Sequence, residues 1–183
     1  MKQTITDPDV QTLASIAASL EVDYREKENI WIGSPFAWIL KETSRRRGKI
    51  GEQLVSGFLA AREIDVTRSP DSEADRIING HRAEIKFSTL GESGIFKFQQ
   101  LRDQNYEFAI CLGLCPFDAR CWVIPKKELL RHVIGHTGQH GGASGTDTAW
   151  MSFGPDEPYD WLTPYGGKLR DALRVLAERY PLA

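Results

Sequence analysis

The chain predicts an α/β domain in which a mixed central β-sheet is flanked by α-helices. Three observations carry this. Residues 81–88, HRAEIKFS, alternate apolar and polar side chains as a half-buried strand does, after an Asn79-Gly80 pair of the kind that closes two-residue hairpins. Residues 106–114, YEFAICLGL, and 120–124, RCWVI, are apolar runs of central-strand length. Helical periodicity marks residues 45–62, where Ile50, Leu54, Val55, Phe58 and Leu59 form one stripe.

In chain order, Asp7-Pro8 is a helix-start signal, and Val10, Leu13, Ala14, Ala17 and Leu20 follow at helical spacing. Residues 21–28 are charged and read as exposed helix or linker. Trp31, Phe36, Trp38 and Ile39 surround Gly33-Ser34-Pro35 and read first as an aromatic cap on the core, with base stacking as the less economical alternative. The helix of residues 45–62 opens on a basic run. Gly48 and Gly51 are poor residues for an isolated helix, so they point to close packing on the sheet or close approach of a ligand. Ile64 to Thr67 supplies a strand, Asp75 to Ile78 a second, and the hairpin turn leads into the strand at His81. After the two apolar runs, Pro125 opens a helix over PKKELLRHVI. Residues 135–148 are rich in Gly, Ser, Thr and His and read as a polar loop suited to function. Trp150, Tyr159, Trp161 and Tyr165 lie in a turn-rich segment. A last amphipathic helix starts near Gly167, with Leu169, Leu173, Val175 and Leu176 as core candidates. One domain over residues 1–183 accommodates all of this, with a helical N-terminal appendage (1–40), a core (41–134) and a closing loop and helix (135–183).

Composition excludes several classes. With 41% hydrophobic and 26% charged residues the chain is ordinary for a globular protein, and no apolar run is long enough to span a membrane. Three cysteines are too few for a disulfide framework and fit a reducing cytoplasm. A formal net charge of −2 argues against a generic basic nucleic-acid coat. It leaves room for a local basic groove.

The hairpin holds the chemistry. Pairing across Asn79-Gly80 sets Ile78 opposite His81 and Asp75 near Glu84. Ala83, Ile85 and Phe87 then share an apolar face, and Glu84 and Lys86 share the other. An isolated acid-x-Lys triplet reads first as an ion pair on an exposed strand. Two carboxylates and an ammonium at one end of a hairpin are also what a hard divalent cation and its water require. Glu52 sits off the core stripe of the upstream helix and can look toward the same end. Lys41, Arg45, Arg46, Arg47 and Lys49 crowd ahead of it. Such a run is often only a solvated helix start. Cations at a helix N-terminus oppose the macrodipole, however, a local cost that a nearby phosphate would explain.

In this order and context the residues resemble the PD-(D/E)xK nuclease superfamily, the restriction-endonuclease-like fold. Ser69-Pro70-Asp71 through Asp75 stands where that superfamily has its first acid, with Asp75 better placed than Asp71 at the start of the hairpin. Glu84-Ile85-Lys86 matches the (D/E)xK element, and Glu52 matches an acid of the first core helix. The resemblance spans about residues 45–122. It implies a magnesium-dependent endonuclease acting on duplex DNA and leaving a 5′-phosphate and a 3′-hydroxyl, with manganese as a substitute ion and no organic cofactor. Asp75, Glu84 and Glu52 would bind metal and Lys86 would assist the attacking water. DNA contacts would come from Arg45, Arg46, Arg47, Lys49, Lys97, Gln99 and Gln100. The superfamily's Gln-xxx-Tyr element is not reproduced, because Asp103 and Gln104 stand where its tyrosine would fall. A compact domain, near-neutral charge and a long polar loop favour a type II restriction enzyme, working as a homodimer on a two-fold site. The alternatives are a junction-resolving nuclease, a DNA-binding module without chemistry, and a domain stabilised by zinc on Cys115, Cys121, His136 and His140.

Overall fold

The structure is a computed structural model that describes residues 6–27, 29–136 and 149–182. Most of the polar loop, with His140, lies outside the described residues. The central sheet has six strands: β1 (Val66–Arg68), β2 (Arg76–Ile78), β3 (His81–Thr89), β5 (Phe108–Leu114), β6 (Ala119–Pro125) and β8 (Gly166–Lys168), side by side in the order β1-β2-β3-β5-β6-β8. The β3–β5 pair is parallel and every other pair is antiparallel, so the sheet is mixed, as expected. A separate two-stranded ribbon joins β4 (Phe96–Leu101) to β7 (Ala149–Phe153).

Each face of the sheet has its own core. On one lie α2 (Ser44–Ala60) and α4 (Leu169–Arg179), whose Val55, Leu59, Val175 and Leu176 pack on Ala83, Ile85, Ile110 and Val123. On the other lie the ribbon and α3 (Lys126–His132), which enclose Trp122 with Phe96, Phe98 and Phe153. Strand alternation produces this division, because neighbours along β5 and β6 point to opposite layers. All seven residues of β5 are buried, as a strand covered on both faces must be.

The two glycines of α2 serve different ends. An added Cβ at Gly51 would come within 2.2 Å of the Phe87 Cβ, so glycine lets α2 lie directly on β3; at Gly48 nothing lies within 4 Å. The aromatic segment caps the core through buried Trp31 and Ile39, while Trp38 stays half exposed. Helix α1 (Pro8–Lys27) runs past the predicted stretch, and its Val10, Leu13, Ile16 and Leu20 are exposed. The last helix begins two residues later than Gly167, because Gly166–Lys168 forms the edge strand β8 instead. Gly166 has φ +146°, and a Cβ there would meet the Cys121 carbonyl oxygen at 2.2 Å. No helix among the described residues is long and apolar enough to cross a membrane.

Candidate active site

The hairpin turns at Asn79-Gly80, with φ of +51° and +87°, the pair of positive values that a type I′ turn needs. Ile78 faces His81, Ile77 faces Arg82 and Arg76 faces Ala83. There the β2–β3 pairing ends. Asp75 lies one step further, its backbone N–H donating to the Ala83 carbonyl at 3.0 Å. Its carboxylate then accepts the Ile85 N–H at 2.7 Å. Asp75 thus substitutes a side chain for the next rung of the ladder and is held beside Glu84. Asp71 is elsewhere, exposed and paired with Arg82.

Glu84 is buried, and Lys86 Nζ lies 2.6 Å from its Oε1. Burial pushes the Glu84 carboxyl above the usual carboxylate range. The charge of Asp75 and a hydrogen bond shared with it push the same way, and Lys86 pulls against them. Tyr106 is close enough to feel this charge: its hydroxyl is raised mainly by burial and then by Glu84. Two touching carboxyls with one ammonium make an all-oxygen, electron-rich pair that fits a hard cation such as magnesium.

Glu52 comes from the opposite layer. Beyond Ala83 no strand among the described residues pairs with this edge of β3, and a groove of about 1320 Å³ follows it. Glu52 reaches the groove from α2, and Lys97, Gln99 and Gln100 reach it from β4. Its carboxylate is held by Lys49 at 2.8 Å and Arg76 at 3.3 Å. The structure therefore brings Asp75, Glu84 and Lys86 together and sets Glu52 in the groove that Asp75 and Lys86 line, turned to its own cations. Among the described residues no three His, Cys, Asp or Glu side chains form a metal-binding group. The rival zinc set shows the same: Cys121 is buried in the core around α2 and α4, and Cys115 is half buried.

Of the seven residues expected to contact DNA, Arg45, Arg47, Lys49, Lys97, Gln99 and Gln100 line the groove. Arg46 does not; it pairs with Glu42 at 3.1 Å on the exposed side of α2.

Sequence reasoning missed Arg76. Its guanidinium donates to the Asp75 carbonyl at 2.6 Å and to Ser56 Oγ at 3.0 Å, besides pairing with Glu52. One side chain so ties the α2 acid to the hairpin backbone at Asp75. Strand alternation was the available signal, since Arg76 must face α2 if Asp75 turns the other way. Replacing Arg76 with alanine is expected to cost about 1.5–3 kcal/mol, the range for hydrogen bonds to charged groups. Urea denaturation reads this directly; Ser56→Ala, which removes one neutral partner, should cost less. An Arg76→Ala protein as stable as wild type would show that the guanidinium joins nothing.

No protein-family model matches the chain. No curated protein matches it either. Among solved structures it is similar to a bacterial homing endonuclease, I-Ssp6803I, at 13% identity over 74% of this chain and 92% of that chain, with a TM-score of 0.48. A likeness this remote concerns the path of the chain and carries no functional argument.

Proposed function

We propose that the protein is a magnesium-dependent DNA endonuclease of the sequence-specific, restriction type. The observation that carries the reading is the Asp75–Glu84–Lys86 constellation, an ammonium 2.6 Å from a buried carboxylate that touches a second one. Its Asp75 and Lys86 line a groove with cationic side chains on both walls, Arg45, Arg47 and Lys49 from α2 and Lys97 from β4, with Glu84 buried behind them. A purely structural ion pair has no use for a second acid that raises the first, nor for a polar groove this large.

Asp75 and Glu84 would hold the magnesium ion, with Glu52 reaching it directly or through water. When bound, the ion supplies Lewis-acid polarisation of the scissile phosphate and a more acidic water. Lys86 orients that water and offsets charge developing on the phosphate. The cations of α2 and Lys97 bind backbone phosphates and fix the duplex in register. The ordinary cleavage pattern of such chemistry is a 5′-phosphate and a 3′-hydroxyl. Two copies about a two-fold axis would cut both strands of a palindrome.

Cleavage of mixed-sequence duplex DNA, with magnesium and with EDTA, tests the reading. Discrete magnesium-dependent products support it, a magnesium-dependent smear keeps the site but removes the sequence specificity, and products that persist in EDTA sink it. A second test needs no DNA. Magnesium is expected to raise the melting temperature, since a ligand at a hundred times its Kd adds about 2.7 kcal/mol. Glu84→Gln should abolish that rise. The rise should also fade on acidification earlier than an ordinary carboxylate predicts, because the Glu84 proton, held above its usual range, competes with the ion. A magnesium effect identical in Glu84→Gln would place the ion elsewhere.

A further inference from the structure

The β4–β7 ribbon lies on the sheet through Phe96, Phe98 and Leu101, which are fully buried. Its outer face exposes Lys97, Gln99 and Gln100. Regular alternation cannot expose two consecutive residues; Gln100 should point inward with Phe96 and Phe98. The register shows how it escapes. Phe98 pairs with Met151 and Leu101 with Ala149, so β4 takes three steps where β7 takes two. The extra residue is a β-bulge, and Gln100 sits in it at φ +58°. Non-glycine residues rarely adopt that conformation, and bulges of this sort re-aim side chains beside functional sites.

The result is two adjacent carboxamides on one exposed face, lining the same groove as Asp75 and Lys86. Neither has a hydrogen-bond partner among the described residues. The ribbon is also locked to the strand that carries Glu84 and Lys86: the Lys97 N–H donates to Ser88 Oγ at 2.9 Å, and Ser88 lies two residues beyond Lys86 on β3. Distance from the hairpin acids to the carboxamides is therefore set by folded structure. A two-stranded ribbon fits the major groove of duplex DNA, where a glutamine carboxamide matches the N6 and N7 edge of adenine with one donor and one acceptor.

We infer that the β4–β7 ribbon reads bases in the major groove and that Gln99 and Gln100, presented together by the bulge, select adenine at a fixed offset from the scissile bond. This rests on the nuclease reading above. Lys97 beside them takes a phosphate and sets the ribbon's depth.

The test is cleavage of a randomised duplex library in magnesium, with the product ends sequenced, by wild type, Gln99→Ala and Gln100→Gly. Glycine is chosen at 100 because it keeps the positive φ and removes only the side chain. Wild-type ends are expected to be enriched in adenine at one or two positions, and each variant to lose about tenfold of that preference at one of them, the size of a lost bidentate contact. Placing 7-deazaadenine at the preferred position should slow the wild type about tenfold and leave the matching variant unaffected. Preference unchanged in both variants, or indifference to 7-deazaadenine, would overturn the inference. Binding selection on the same library in EDTA separates the two readings. Adenine preference in binding without any cleavage sinks the nuclease and keeps the reader. Cleavage with glutamine-independent ends sinks the reader and keeps the nuclease. Neither binding nor cleavage overturns both.

Discussion

Replacing Lys86 with alanine is expected to lower magnesium-dependent DNA cleavage by about 10²–10⁴-fold, the usual contribution of a positioned group in proton transfer. Two losses combine. The ammonium proposed to meet water and phosphate disappears, and Glu84 loses the one cation that lowers it against burial and Asp75. The Glu84 proton then competes harder with the metal ion. Stability should change with a definite pH signature. A carboxyl whose folded pKa lies above its unfolded value costs nothing below the unfolded pKa, where it is protonated in both states. The cost grows as pH rises through the folded value. Without Lys86 that value rises further, so the deficit of Lys86→Ala relative to wild type should be larger at pH 8 than at pH 5. Cleavage by purified variant and wild type, with urea denaturation at both pH values, reads the two effects separately. Undiminished cleavage by Lys86→Ala would end the reading of the hairpin as the active site.

Gly51→Ala is expected to destabilise the protein by about 1–3 kcal/mol, the range for overpacking a filled core. This comes despite a gain of about 1 kcal/mol in helix propensity over glycine. The new methyl would stand 2.2 Å from the Phe87 Cβ and 2.4 Å from its Cγ, so either α2 or the Phe87 backbone must move. Glu52 is the next residue, and any shift of α2 carries it away from Arg76 and the groove. Cleavage should accordingly fall below wild type even at magnesium levels that saturate the wild type. Gly48→Ala is the internal comparison. It meets nothing within 4 Å, so propensity acts alone and the variant should be more stable by about 1 kcal/mol. Chemical denaturation of the pair settles the matter: equal effects at the two positions would mean that α2 does not rest on β3 through Gly51.

The hairpin was legible because its signals are local. Asn79-Gly80 adopts the turn its residue types favour, the turn sets the register, and the register places Asp75 one step beyond the Arg76–Ala83 pair. Periodicity likewise marked α2, and unbroken apolarity marked β5 and β6, since burial on one face or on both leaves a direct trace in the pattern. Strand β8 left no such trace: Gly166-Gly167-Lys168 has no hydrophobic period and becomes a strand only because the edge of β6 accepts it. Helix α1 shows the converse. Its apolar spacing is present, yet Leu13 and Ile16 stay exposed, because periodicity specifies a face and says nothing of what covers it.

By itself the sequence determined the mixed α/β architecture and the pairing of Asp75 with Glu84 and Lys86, for these follow from alternation and turn chemistry within a few residues. Tertiary structure alone decided three things. Arg76 became the link between α2 and the hairpin, because α2 packs where its guanidinium reaches Glu52 and Ser56 while also holding the Asp75 main-chain carbonyl. Arg46 was turned away from the groove while its neighbours entered it. Gln100 was turned outward by a bulge that exists only because β4 pairs with a strand about fifty residues away. Each depends on where distant segments meet, and that is set by which faces must be buried together rather than by any local pattern.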